Sequence, residues 1–167
     1  MKKLILALLI LTLTLSAVPA LAITAQYPTT QRFMDYMDAN GTKYTYVGVN
    51  SNTQNEHVDV VFNGDNRSSI KVECFFNKDL NRCVVYVWNV IDYDAGSKSL
   101  VVMALDGLNS KYYFTKFYTD DDDNSVTAEG YIRLDDSADY SSIISRLVNM
   151  MAQVVDEAYP TLKIYAK

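Results

Sequence analysis

The only histidine of the chain, His57, limits the chemistry that the sequence can perform. A Ser-His relay could be built only on this side chain, and a metal site with two histidine ligands is excluded. His57 precedes Val58, Val60 and Phe62, which alternate with polar residues, and it falls out of phase with them. We therefore expect a solvent-facing strand residue. Since Gly-rich phosphate loops, HExxH and GxSxG are also missing, the sequence predicts no catalytic residue, no metal-ligating set and no cofactor.

Four consecutive carboxylates, Asp120 to Asp123, resemble the start of a calcium loop. An EF-hand loop needs glycine at its sixth position and an acidic residue at its twelfth. Counted from Asp120, these positions hold Ser125 and Tyr131. We expect a solvated turn between two strands, with weak cation binding as the alternative.

Two cysteines, Cys74 and Cys83, lie on neighbouring predicted strands. A two-residue turn at 78–79 would place them directly opposite each other and would also pair Val72 with Val85. This register predicts either a structural disulfide, whose geometry a cross-strand pair can satisfy, or two buried free thiols. Lys-Asp is not a favoured two-residue turn, so a longer loop would offset the pair.

Thirteen tyrosines and one tryptophan provide candidates for a binding surface. Tyr86 and Trp88 alternate with apolar residues of the cysteine-bearing strand, so they should point away from the face that holds the cysteines. Together with Phe75 they form a candidate binding face, since aromatic side chains with a polar tip suit such surfaces. The alternative is that these aromatics serve ordinary strand packing, with helices covering both sides of the sheet.

The first 22 residues have the pattern of a bacterial-type signal peptide. Lys2 and Lys3 precede an apolar run over 4–15, and Ala20-Leu21-Ala22 matches the small-x-small pattern that a signal peptidase cleaves. The run is shorter than the roughly 20 apolar residues that a membrane span needs. We predict cleavage after Ala22 and a periplasmic or secreted chain without a membrane span; an uncleaved N-terminal anchor is the alternative.

Charge limits the choice of partner. The whole chain carries 15 basic and 20 acidic residues, a net charge of −5. Without the two lysines of the predicted signal peptide, 13 basic residues face 20 acidic ones, and the net charge is −7. Since nucleic acids bind through lysine and arginine, we expect no nucleic-acid partner. The protein or peptide partner that we expect, a second copy of the chain included, rests on other features of the sequence.

Residues 23–167 are predicted to form a single α+β domain in the order α-β-β-β-β-α-β-β-α, an antiparallel sheet of about six strands with helices packed on it. The helices are predicted over 29–40, around Leu100 to Leu108, and from a cap at Asp136, Ser137 or Asp139 to Pro160. The strands are predicted over 43–50, 57–62, 70–76, 83–91, 112–119 and 125–134.

Several segments resemble the YbjN-type domain, whose fold is similar to that of type III secretion chaperones. They are Leu105-Asp-Gly-Leu-Asn109, the aromatic segment 113–118, Val126-Thr-Ala-Glu129, and the helix end 155–162. The resemblance implies protein binding and a loose association with bacterial regulation, with no defined reaction. We therefore expect an exported, non-catalytic binding module, chaperone-like or regulatory. The alternative is a periplasmic protein that binds a small molecule or lipid in an aromatic cavity.

Overall fold

A computed structural model describes residues 23–77, 81–135 and 138–167, so the predicted signal peptide and the cap candidates Asp136 and Ser137 lie outside the described residues. The described chain follows the order α1 (Pro28–Ala39), β1 (Thr45–Val49), β2 (Glu56–Phe62), β3 (Ile70–Phe76), β4 (Arg82–Asp92), α2 (Lys98–Lys111), β5 (Lys116–Asp120), β6 (Ser125–Arg133) and α3 (Ser141–Leu162). Short 3-10 turns precede α2 and follow α3. This order confirms the predicted α+β class.

The six strands form one antiparallel sheet in the order β1-β2-β3-β4-β6-β5. The first four strands make the meander that their short connections predict. After β4 the chain crosses through α2 to the far edge, where β5 forms a hairpin with β6. The hairpin places β6 against β4, so the two longest strands lie side by side in the sheet.

One face of the sheet forms the core with the three helices. Along β2, β3, β4 and β6 every second residue is apolar and buried, and these inward residues are Val58, Val60, Ile70, Val72, Cys74, Phe76, Cys83, Val85, Val87, Val126 and Ala128. On α1, Phe33 packs against Phe76 with ring centroids 5.6 Å apart. Each such fully buried aliphatic or aromatic side chain stabilises the fold by about 1.5–3 kcal/mol.

Helix α3 contributes the longest apolar stripe to this core. Ile144, Val148, Met151 and Val155 recur at helical spacing and are fully buried. The predicted stripe also included Ile143, which instead is 48% exposed at the first turn. Asp139, a predicted capping residue, accepts hydrogen bonds from the backbone N–H and the hydroxyl of Ser141.

The prediction that Pro160 ends the last helix is wrong, because α3 continues to Leu162. The proline ring fixes a φ that a helix tolerates, and it removes only one backbone donor. Close to the C-terminus of a helix that loss interrupts few hydrogen bonds. Leu162 is fully buried, and its packing favours continuation of the helix past the proline.

The predicted strand over 112–119 begins four residues late, at Lys116, because α2 extends to Lys111. Asn109 explains how the chain then enters the sheet. Its side-chain amide accepts a hydrogen bond from the backbone N–H of Phe117 (2.7 Å) and donates one to the carbonyl of the same residue (2.8 Å). The asparagine thus pairs with β5 much as a neighbouring strand would.

The β3–β4 connection differs from the prediction. Asn77 donates its backbone N–H to the carbonyl of Arg82, so the chain turns through four residues instead of two. Cys74 consequently pairs with Val85, and Cys83 pairs with Phe76. The register predicted from a two-residue turn is therefore wrong. The physical reason is that tight hairpin turns favour glycine or asparagine at positive φ, whereas the sequence has lysine and aspartate there.

A buried carboxylate fixes the start of α1 to the sheet. Glu56, the first residue of β2, is 0% exposed. It accepts hydrogen bonds from the backbone N–H groups of Gln26 and Tyr27 (2.6 and 2.9 Å) and from the hydroxyl of Tyr46 (2.5 Å). These donors satisfy a charge that would be costly to bury alone. Burial, and then the hydrogen bond to Glu56, raises the pKa of Tyr46 to about 12.

A second carboxylate fastens the β2–β3 turn to α3. Asp156 accepts hydrogen bonds from the backbone N–H groups of Asp65, Asn66 and Arg67 at 2.9–3.1 Å. Gly64 lies so close that a Cβ atom there would come within 2.1 Å of the Asp156 carboxylate. Partial burial opposes the ionised form, but the backbone donors outweigh it and the pKa of Asp156 is lowered from 3.8.

We expect the variant Asp156→Asn to be less stable than the wild type by about 1 kcal/mol at pH 7, because charge-assisted hydrogen bonds to three amides are weakened. A carboxyl whose pKa is lowered by folding stabilises the protein above its unfolded pKa, near 4, and loses this effect as the pH falls. Urea unfolding should therefore show a difference at pH 7 that shrinks below pH 4. Asp106→Asn, on the exposed surface of α2, is the matched control; an equal loss there would contradict this account.

Candidate functional site: the open face of the sheet

The face of the sheet opposite the core, called here the outer face, is formed by the residues that alternate with the buried ones. They are His57, Asp59, Val61, Lys71, Glu73, Phe75, Val84, Tyr86, Trp88, Thr127, Glu129 and Tyr131. Val61, Trp88 and Tyr131 are 59%, 39% and 66% exposed. Part of the outer face is therefore exposed to solvent, whereas Glu73, Val84 and Thr127 are buried within it. Tyr131 also borders a cavity together with residues of α3.

Four ring side chains form a continuous row across this face, the aromatic row. Tyr86 stacks on Trp88 with centroids 4.4 Å apart and planes at 18°. Phe75 meets the edge of Tyr86 at 5.8 Å, and His57 stacks on Phe75 at 4.3 Å. The structure therefore brings together Phe75, Tyr86 and Trp88, as the predicted binding face requires. Whether they bind a partner stays a prediction.

A bulge in β4 positions the end of the aromatic row. Val87 pairs with Ala128 and Ile91 with Val126, so residues 88–90 lie opposite a single residue of β6. Asn89 has a φ of 49° and accounts for the left-handed kink, a conformation that asparagine tolerates better than most residues. Bulges redirect side chains, and this one leaves Trp88 exposed while Val90 is buried.

A shallow groove of about 190 Å³ runs along the aromatic row. Its walls combine the rings with amide side chains from the β1–β2 loop and the end of β3, among them Asn50, Asn55 and Asn77. The Oδ1 atom of Asn55 is shielded from solvent and has no hydrogen-bond partner in the described chain. Flat apolar rings beside an unsatisfied amide oxygen can hold a ligand by contact and orient it by a hydrogen bond.

The groove continues into a polar depression of about 570 Å³ around Arg82 and Arg133. These two arginines are directly opposite each other on β4 and β6, and both are exposed. Like charges in directly opposed positions destabilise a sheet. No carboxylate of the described residues forms an ion pair with either of them. The two unpaired cations favour anionic groups at this end of the outer face, although Glu129 also borders the depression and the chain as a whole is acidic.

At the other end of the aromatic row lies a group of charged side chains, the ion cluster, which consists of His57, Asp59, Lys71 and Glu73. Nε2 of His57 is 2.5 Å from Oδ1 of Asp59 and 3.3 Å from Oε2 of Glu73. Nζ of Lys71 contacts Oε1 of Glu73 and lies 3.7 Å from Oδ2 of Asp59. The hydrogen bond to Glu73 is the main cause that raises the pKa of Lys71.

His57 lies on the outer face, as its position in the alternation predicts, but it is not the isolated surface residue that we expected. Its side chain is only 16% exposed and is surrounded by acidic groups. The sequence signal is the alternation on both sides of the turn at 63–69. If Phe62 pairs with Ile70, then Asp59 must face Glu73. Reading the two strands separately conceals this pairing.

The acidic run joins β5 and β6 in a turn, as predicted. Asp120 ends β5 and accepts a hydrogen bond from the backbone N–H of Asp122. Lys98, at the start of α2, forms an ion pair with Asp121 at 2.6 Å. This pair partly offsets the repulsion between neighbouring carboxylates.

Both cysteines are free thiols in this structure, and both are buried in the core. Burial is the main cause that raises the pKa of the Cys74 and Cys83 thiols well above the ordinary value of 9.0. Of the two alternatives that the sequence left open, the structure has the free thiols. Because Cys74 lies opposite Val85, the thiols are diagonal neighbours on the core face.

A search of the described residues for a helix of the length and apolar character that a bilayer crossing demands gives none. The sequence matches no protein-family model and no curated protein. Its fold is similar to the crystal structure of YbjN, a candidate transcription regulator from E. coli. The TM-score is 0.51 at 15% sequence identity, over 76% of this chain and 88% of that one. The likeness confirms the YbjN-type fold.

We expect neither thiol to react with Ellman's reagent in the native protein at pH 8, because buried neutral thiols are poor nucleophiles. In guanidinium chloride without reductant, two thiols per chain should then react. A count of zero after unfolding would show that the cysteines form a disulfide and would contradict the free thiols of this structure. Treatment with reductant before unfolding gives the reference count.

Proposed function

We propose that this chain, which has the YbjN-type fold, is an exported, non-catalytic binding module that recognises a protein or peptide through the outer face of its sheet. The single observation that carries the proposal is the aromatic row, which ends in the exposed Trp88 and lies on strands whose alternate residues are packed in the core. Tryptophan, tyrosine and arginine are the residues that most often dominate binding energy at protein interfaces. The outer face presents all three, at Trp88, Tyr86 and Arg82.

The composition of the outer face suits a protein partner. Apolar rings cross the face, Glu73 and Glu129 lie directly opposite Tyr86 on its two sides, and the unpaired arginines lie together on β4 and β6. Arg82 and Arg133 form no ion pair with a carboxylate of the described residues. An acidic group of the bound protein could therefore form ion pairs with both.

The alternative of a small molecule or lipid in an aromatic cavity has weaker support. The aromatic residues in question lie on the outer face and not between the sheet and the helices, where the side chains of the core are packed. The groove beside them is about 190 Å³, below the roughly 300–1,000 Å³ of typical ligand sites. A cavity of about 530 Å³ between Phe114, Tyr131 and α3 is large enough, but it lies apart from the aromatic row. A second copy of the chain is a further occupant that the same surface could accept.

The proposal includes export, which rests on the sequence of residues 1–22. When the full-length chain is expressed in a bacterium, we expect it in the periplasmic or extracellular fraction, with Ile23 as its first residue. Edman sequencing or intact-mass measurement of the purified chain tests this. A cytosolic chain that retains Met1 would contradict export and would leave the binding face to be judged separately.

Trp88 is the only tryptophan of the chain, so its fluorescence reports directly on the outer face. We expect iodide or acrylamide to quench it readily, and bound partner to shift the emission to shorter wavelength and protect it. In a pull-down from envelope extract, Trp88→Ala should reduce recovery of the partner at least tenfold.

The matched control is Tyr113→Ala, which removes a ring that is 84% exposed but lies outside the outer face. It should leave recovery unchanged, and both variants should unfold near the wild-type temperature. Equal loss in both variants, or none in Trp88→Ala, would overturn the assignment of the outer face. Light scattering distinguishes a second copy of the chain from a foreign partner.

A further inference from the structure

We propose that His57, Asp59 and Glu73 form a binding site for one divalent transition-metal ion of the Zn²⁺ class. Imidazole nitrogen and carboxylate oxygen are the donors that such ions accept in proteins. One donor atom from each residue lies within 4.8 Å of the other two. The inference concerns the ion cluster alone and does not depend on the proposed partner.

The backbone holds these donors in place before any ion binds. Asp59 and Glu73 are directly paired across β2 and β3, and His57 lies two residues before Asp59 on the same face. These strands are interior to the sheet, and their alternate residues are packed in the core. Phe75 stacks on the imidazole and limits its rotation. A donor set on rigid strands loses little conformational entropy when it binds an ion.

Two of the three donor atoms are buried without a hydrogen-bond partner. Nε2 of His57 and Oδ1 of Asp59 are both shielded from solvent, and neither makes a hydrogen bond of acceptable geometry in the described chain. They are nevertheless only 2.5 Å apart, and Oε2 of Glu73 is 3.3 Å from the same nitrogen. Buried polar atoms normally have partners, so two converging donor atoms that lack one, with Oε2 of Glu73 beside them, require an explanation.

The distances are close to those of a tetrahedral site. Two ligands that each bind zinc at about 2.1 Å are about 3.4 Å apart when the angle between them is tetrahedral. The separation of His57 and Glu73 already matches this value, at 3.3 Å. The 2.5 Å between His57 and Asp59 has to open by a little less than 1 Å. Since the Asp59 side chain is partly exposed, a small rotation of its carboxylate achieves this.

Lys71 does not occupy the same atoms. It pairs with Oε1 of Glu73 and lies near Oδ2 of Asp59, which are the oxygens directed away from His57. Without an ion, Lys71 therefore neutralises one negative charge of the two carboxylates, and it competes with a bound cation for them. Its side chain is 53% exposed, so it can move toward solvent when an ion arrives. Three protein ligands leave a fourth position for water or for a group supplied from outside.

The unique histidine makes a direct test possible. The full mature chain, purified without a histidine tag, is titrated with Zn²⁺ while ¹⁵N-detected NMR follows the imidazole of His57. We expect saturation at one ion per chain, with a large change in the Nε2 shift. Isothermal titration should give a dissociation constant in the micromolar range or below. The absence of saturable binding below 1 mM, or an unchanged His57 signal at saturation, would overturn the proposal.

Variants separate this site from the other cation-binding groups of the chain. His57→Gln and Glu73→Gln should each weaken Zn²⁺ binding at least tenfold, whereas Lys71→Met should leave it equal or stronger because a competing cation is removed. Asp122→Asn in the β5–β6 turn is the matched control and should have no effect. If Asp122→Asn weakens binding, or if Lys71→Met weakens it as much as His57→Gln does, the site is not the one proposed.

Two further measurements keep the result interpretable. Circular dichroism shows whether each variant is folded, and the NMR titration of the wild type stands even if a variant is not. The spectrum of bound Co²⁺ then identifies the donors: nitrogen and oxygen ligands give no sulfur charge-transfer band, whereas Cys74 and Cys83 would. A sulfur band would overturn the assignment to His57, Asp59 and Glu73. Partner binding plays no part in these readouts, so their failure is distinct from failure of the proposed function.

Discussion

The rest of the structure depends on one constraint, which is that the helices cover only one face of the sheet. Helix α3 packs on β3, β4 and β6 and also contacts α1 and α2, so the helical layer is held together on the same face. A sheet buried on one side requires apolar residues at every second position, and it leaves the intervening positions facing outward. The outer face is thus a direct consequence of the same alternation that forms the core. Its side chains are free to serve purposes other than folding.

The sequence was sufficient to predict which residues face inward and outward, because an error of two residues in register does not change the face. The β3–β4 hairpin shows this. The structure has a four-residue connection where two residues were assumed, so every cross-strand partner moves by two positions. Cys74 still faces the core and Tyr86 still faces outward. Only the pairing that the cysteines required was lost, and it depended on turn chemistry that lysine and aspartate do not favour.

The ion cluster and the aromatic row could not be predicted to the same extent. Both need side chains from different strands to meet, and this follows from register and not from periodicity. The prediction for His57 considered β2 alone and treated this residue as a solvent-facing position of that strand. Its neighbours come from β3, and their identity is fixed by the length of the turn at 63–69. The backbone of this turn is held by hydrogen bonds to Asp156 of α3, which lies about 90 residues further along the sequence.

Two carboxylates of this chain illustrate how the fold treats charge. Glu56 is fully buried and receives three hydrogen bonds, two of them from the backbone, so its charge is satisfied by fixed dipoles and its role is structural. Glu73 is nearly as buried, but its close polar contacts in the ion cluster are with the side chains of His57 and Lys71. A carboxylate satisfied by backbone donors has no capacity to exchange partners. A carboxylate satisfied by side chains retains that capacity.

His57 connects the two chemistries of the outer face, because one ring belongs to both the aromatic row and the ion cluster. Its plane stacks on Phe75, while Nε2 faces Asp59 and Glu73. The orientation that satisfies the nitrogen therefore also sets the position of the ring against Phe75, which in turn contacts Tyr86.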